Sequence, residues 1–160
     1  MNAKQKFDLD TKQSLDYAEH IVRRYKHVPA AQRLPEVVLK LRTCIKDKTR
    51  RNQIIPDSDM KTIMKNWSQG FCYGCTYIIY HAAGKDKVWI PMEIFSFSFD
   101  GLNHGFISDI VSGRPFDITA CQFLERRIPY EEAEPNQGLI TEYSLIAHYL
   151  ARYANIDLMR

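Results

Sequence analysis

Four cysteines, five histidines and a scatter of carboxylates are the side chains of this 160-residue chain that could do chemistry. The most informative is Cys72. The segment SQGFCYGCTYIIYHAAG (68–84) opens with a capping residue, Ser68, and closes on Gly84, a helix-end residue, so the spacing predicts a helix with Cys72 in its first turn. Free backbone N–H groups and the positive end of the helix dipole favour a thiolate there. A thiol nucleophile needs a base, and the base needs a group that orients it. His104 opens a predicted strand and Asp117 lies on the next one. Simple counting about a Ser112-Gly113 turn does not make 104 and 117 direct partners, so a bulge or a staggered register is expected to bring them level. Asp109, nearer the turn, is the weaker candidate. Gln69, Asn103 and the backbone N–H of Cys72 are candidate oxyanion donors.

The same residues admit other chemistry. A buried structural thiol is the default state of a free cysteine. Cys72-Tyr-Gly-Cys75 has metal-ligand spacing, and His104 or Cys121 could complete a zinc site; a zinc knuckle, however, places its pair in a tight loop rather than at a helix entrance. A thioredoxin-type redox pair requires a βαβ unit, whereas the strands downstream read as antiparallel. Cys75 is a core thiol, or a resolving cysteine should Cys72 oxidise. His81, inside an aromatic helix, is expected to be a hydrogen-bonded core or surface histidine, and Gln122-Phe123 to pack beneath the Asp117 strand.

The elements that must position these residues follow from periodicity. Residues 11–27 place Leu15, Ala18, Ile21, Val22 and Tyr25 at helical spacing, with Pro29 ending the run. Residues 33–47 place Leu34, Val37, Val38, Leu41, Cys44 and Ile45 on one face of a second helix. Residues 49–56 read as a connector, and a short helix fits 57–66 with Asp57 or Ser58 as its cap. Strand alternation runs through 87–99, and 104–111 and 114–119 flank the hairpin turn. A short helix over 120–126, an acidic loop over 129–137 and a final helix over 141–154 complete the chain. Helices, a central helix, an antiparallel sheet and a last helix make an α+β pattern.

Composition narrows the class. At 45% hydrophobic residues, with 8 Phe, 9 Tyr and 2 Trp, the chain can form a core, and 7 Gly and 7 Pro exclude collagen-like and low-complexity architectures. No apolar stretch approaches the roughly 20 residues that span a bilayer, and MNAKQKFDLD lacks the apolar region of a signal peptide, so a cytoplasmic protein with thiols rather than disulfides is expected. Net charge is +3, unevenly placed: residues 1–66 hold 15 Lys and Arg against 8 Asp and Glu, and residues 67–160 hold 7 against 11. The densest basic run, Lys40, Arg42, Lys46, Lys48, Arg50 and Arg51 against Asp47, is a candidate surface for nucleic acid or an acidic protein; the plain alternative is a solvated helix end, since no interleaved aromatics are present to stack bases. Residues 1–66 thus read as a basic helical region and 67–160 as an α+β core.

The order of Cys, strand His and next-strand Asp resembles the papain-like fold in its transglutaminase-like and NlpC/P60-like forms. More closely, QGFCYGCTYIIYHAAG (69–84), NHGFISD (103–109), DITACQF (117–123) and YEEAEPNQGLIT (130–141) resemble the small YunG-like proteins of bacteria and phages. The resemblance covers roughly residues 67–152. It implies a central helix packed on a small antiparallel sheet, with Cys72, His104 and Asp117 as the triad. Gly105-Phe106 stand where aromatic residues often follow the strand histidine, and residues 1–66 have no counterpart. The expected activity is that of a cysteine hydrolase or acyl transferase acting on a peptide or glutamine amide, with no metal or organic cofactor. The rival expectation is a non-catalytic phage or mobile-element protein that docks on a host protein or nucleic acid through the basic run.

Overall fold

A computed structural model describes residues 1–54, 71–95, 99, 101–123, 127–142 and 144–158. Among them are six α-helices and a four-stranded antiparallel sheet, the α+β arrangement expected. Helix α1 (Ala3–Arg24) begins well before the apolar spacing does, because Asn2 and Gln5 form a reciprocal capping box, each side chain accepting from the other's backbone N–H at 2.8–2.9 Å. Chain direction then changes through a 3-10 turn, Pro29–Arg33, and α2 (Leu34–Lys46) buries all six apolar residues that its sequence places on one face. The expected connector after it is instead a helix, α3 (Lys48–Ile54). It lacks an apolar stripe, but Asp47 Oδ1 accepts from the N–H groups of Thr49 (2.9 Å) and Arg50 (3.2 Å) and so caps it. The helix expected over 57–66 lies outside the described residues.

The central helix, α4 (Cys72–Ala82), is followed by Gly84 at φ +128°, where a Cβ would fall 2.4 Å from the Val88 side chain; only glycine permits this exit. Strands β1 (Trp89–Ile94), β2 (His104–Asp109), β3 (Pro115–Phe116) and β4 (Glu134–Pro135) lie in the order β3-β2-β1-β4. The sequence marks 129–137 only as an acidic loop, yet it supplies β4, pairing Met92 with Pro135 and Glu93 with Glu134. Residues 120–126 were expected to be helical, and a 3-10 turn forms at Ala120–Gln122. The last helices are α5 (Gly138–Thr141) and α6 (Leu145–Tyr153); the latter is capped by Ser144, whose hydroxyl accepts from Ala147 N–H at 3.1 Å.

One face of the sheet packs on α4. Trp89, Ile107 and Phe116 join Ile78 and Ile79 in a buried cluster that continues through Leu41 and Ile21 of the N-terminal helices to Ala151. The other face carries Ile94, Phe99 and Phe106 beneath Met92, Phe123 and Tyr130. β2, between these layers, is buried at every residue. Among the described residues, no helix is long and apolar enough to cross a membrane.

Two cations, the exposed Arg24 and the buried Arg42, bind the N-terminal helices to the sheet. Arg24 and Tyr25 both bond the buried Asp109 carboxylate at the hairpin, and Ser112 Oγ donates to it at 2.7 Å. Asp109 is thereby a structural anchor. Arg42 is 1% exposed. Its guanidinium lies 3.6 Å from the centre of the Phe7 ring, donates to Thr11 Oγ1 (2.8 Å), Phe7 O (2.7 Å) and Ile118 O, and pairs with Asp10 at 3.0 Å. Arg42 therefore does not belong to the basic surface that the sequence suggested.

Candidate functional site

The chain needs no bulge to bring His104 and Asp117 together. The hairpin pairs Ile107 with Phe116 and Ser108 with Pro115, a register centred one residue earlier than the Ser112-Gly113 turn suggests. Asp117, one residue beyond Phe116, therefore projects to the same face as Phe106 and His104, diagonal to the histidine. Cross-strand diagonals are within reach of long side chains. His104 Nε2 meets Asp117 Oδ2 at 2.6 Å, with the imidazole fully buried and the carboxylate 4% exposed.

Asp117 is held on every side. Its Oδ2 also accepts from Tyr130 Oη (2.8 Å), and its Oδ1 accepts from Thr119 N–H (3.1 Å) and Thr119 Oγ1 (3.0 Å). Burial alone would raise this carboxyl; the His104 charge and the hydrogen bonds of His104, Tyr130 and Thr119 outweigh it and hold Asp117 below the usual carboxylate range. Burial likewise pushes the imidazole down, but Asp117, and then the Cys72 sulfur beside it, push it up to about 10. Each partner thus favours the charged form of the other.

Cys72 is the first residue of α4, as the sequence predicts for a helix-start thiol, and is 7% exposed. Phe71 occupies the cap position without a side-chain hydrogen bond. The thiol reaches the imidazole closely enough to bond it. With Cys75, Phe106, Asp117 and Thr119 it lines a cavity of about 10 Å³, room for one water at most. Cys75, 2% exposed, is pushed well above the usual thiol range by burial and is a core thiol in this conformation.

His104 makes a further contact that the sequence reading missed. Gln122 Nε2 lies 2.9 Å from His104 Nδ1, and Gln122 is itself buried. Phe123 presents its edge to the same ring at 4.9 Å. The pair that sequence reasoning assigned to packing beneath the Asp117 strand instead closes on the imidazole. The signal was local: Thr119, two residues after Asp117, has the spacing of a side-chain-to-backbone turn, and the 3-10 turn that follows carries Gln122 back over the site. Tyr130 opens the YEEAEPNQGLIT segment, but its spacing gives no sign of a bond to Asp117; it arrives from a separate loop.

The remaining candidates lie apart. Gln69 is outside the described residues. Asn103 is exposed just before β2. Cys121 bonds Arg42 at 3.6 Å through its sulfur, and among the described residues no three His, Cys, Asp or Glu side chains form a cluster able to hold a metal. His81 bonds Ile140 O at 2.8 Å, the hydrogen-bonded histidine expected. In the basic run, Lys40 spans Glu36 (2.8 Å) and Asn155 O (3.0 Å), Lys46 pairs with Asp8 (2.7 Å), Arg50 stands 3.8 Å from Asp47, and Arg51 donates to Ile45 O (2.9 Å). Lys48 is exposed. With Arg42 buried, the run is divided between internal and surface contacts rather than presenting one continuous cationic face.

No family model, curated protein or solved structure matches the chain.

Proposed function

We propose that the protein is a papain-like cysteine hydrolase or acyl transferase whose core, residues 67–160, carries a Cys72-His104-Asp117 triad. The observation that carries this reading is the buried His104–Asp117 pair at 2.6 Å with Cys72, at the first residue of a helix, bearing on the same imidazole.

The roles follow from position. Cys72 Sγ attacks the carbonyl carbon of a peptide or glutamine amide, forming an S–C bond. His104 takes the thiol proton as the S–C bond forms and delivers it to the departing amine as the C–N bond breaks. Water, or a second amine, then attacks the thioester, and Cys72 recovers its proton as the acyl group leaves. Asp117 orients the imidazole through Nε2 and stabilises its charged form; Tyr130 and Thr119 keep the carboxylate from turning away. An imidazolium formed beside the sulfur supplies the countercharge that a thiolate needs, and the first turn of α4 adds backbone N–H groups on the same side.

The experiment is acylation of the intact protein by a p-nitrophenyl ester, in which a thioester forms at Cys72 and p-nitrophenolate departs. Peptide mapping should place the acyl group on Cys72, and His104→Ala should slow its appearance by at least tenfold. Equal rates in the two proteins, or acylation confined to Cys121, would remove the triad and leave a non-catalytic fold.

A further inference from the structure

Both ring nitrogens of His104 are occupied: Nε2 by Asp117 at 2.6 Å and Nδ1 by Gln122 at 2.9 Å. Each imidazole nitrogen has one in-plane position for a hydrogen bond, whether it donates or accepts. With Nε2 committed to the carboxylate, Nδ1 is the only nitrogen that can exchange a proton with Cys72. Cys72 also bonds the ring, so the thiol and Gln122 must share that position. The Gln122 carboxamide can serve either form of the ring, since its NH2 donates to a neutral Nδ1 and its carbonyl accepts from a protonated one.

We propose that Gln122 is a latch on the base: it competes with Cys72 for His104 Nδ1, and the thiol gains full access only when the Gln122 side chain swings away. This rests on the reading of Cys72 as a nucleophile and adds how that nucleophile is kept idle. The surroundings agree with a closed state. Cys72 is 7% exposed, the cavity it lines holds about 10 Å³, and Phe123, the next residue after Gln122, sits edge-on to the imidazole and against Phe99 at 4.8 Å. Gln122 and Phe123 share the end of one 3-10 turn, so a displacement that frees Nδ1 also lifts an aromatic cover from the ring. An amide substrate must place its departing nitrogen within hydrogen-bond reach of Nδ1 to receive the proton. The Gln122 carboxamide nitrogen already lies there. Substrate and latch therefore contend for one point, and a substrate carboxamide is the ligand chemistry suited to displace it.

The test uses iodoacetamide on the full chain, with Cys72 labelling followed by peptide mass mapping; the S–C bond forms, iodide leaves and the thiol proton passes to the base or solvent. Gln122→Met keeps length and burial but cannot bond Nδ1, and a neutral hydrogen bond contributes about 1 kcal/mol net, so labelling should accelerate about five- to tenfold. Gln122→Glu offers the imidazolium a carboxylate and should slow labelling below the wild-type rate. Opposite signs from two substitutions at one site are not what a packing defect produces. The Nδ1 nitrogen resonance of His104 should move on Gln122→Met. If that variant does not fold, Gln122→Asn, one methylene shorter, withdraws the amide from Nδ1 and carries the same expectation. Slower labelling in His104→Ala together with no acceleration in Gln122→Met would overturn the latch and leave the triad standing. Unchanged labelling in His104→Ala would overturn both.

Discussion

Replacing Asp117 by Asn tests the charge pair at the centre of the site through its pH dependence. In the wild type His104 stands at about 10, against an unfolded value of about 6.5. A group whose folded value is raised stabilises fully below the unfolded value, and the contribution is lost as pH rises through the folded one. Each unit of difference corresponds to about 1.4 kcal/mol, so the imidazolium contributes up to roughly 5 kcal/mol below pH 6.5, and about 3 kcal/mol at pH 8. Asp117 itself has a lowered value, so its contribution is present above the ordinary carboxylate range and fades only in acid. The full stabilisation therefore occupies roughly pH 5 to 6.5. The isosteric amide keeps the shape but removes the charge, and Tyr130 Oη and Thr119 lose an ionised acceptor. Removing one partner of a buried pair costs about 3–5 kcal/mol. Urea denaturation of wild type and Asp117→Asn at half-unit steps from pH 5 to 10 should show a stability gap of that size near pH 6, closing toward pH 10. A gap that stays constant across the range, or one below about 1 kcal/mol at pH 6, would refute the assignment of an imidazolium to the folded protein.

Arg42→Met should destabilise the fold by about 3 kcal/mol or more, because Asp10 and the Ile118 carbonyl lose their buried partner, and it should slow Cys72 labelling by loosening the segment that holds Asp117; denaturation midpoints and iodoacetamide rates read both effects. Arg42→Lys should not rescue it, since an ammonium cannot meet Thr11, Phe7 and Ile118 together. Gly105→Ala would place a Cβ 2.7 Å from Tyr73 Cδ1, and Tyr73 is tied to Glu93 at 2.9 Å, so the start of α4 must shift. A cost of about 1–3 kcal/mol in denaturant and a changed Cys72 labelling rate are expected.

The local content of the fold was written in the sequence. The apolar stripe of α2, the helix-start place of Cys72, the stop at Gly84 and the strand bearing His104 all follow from short-range spacing and turn chemistry, which depend on a residue's immediate neighbours. So did the choice of His104 and Asp117 as partners, although counting from the apparent turn misplaced the register that joins them. α3 escaped notice because a side-chain cap, not a stripe, defines it, and β4 because two residues show no alternation. Only the tertiary structure could draw Arg42 out of a run that read as a cationic surface, since burial of a charge depends on acceptors that arrive from Phe7, Asp10 and Ile118, far along the chain. The same holds for Tyr130 on Asp117 and Gln122 on His104. Residue type and spacing nominate a nucleophile, a base and a carboxylate; which nitrogen of the base each neighbour occupies is set by where separate segments converge, and a linear pattern carries no record of that.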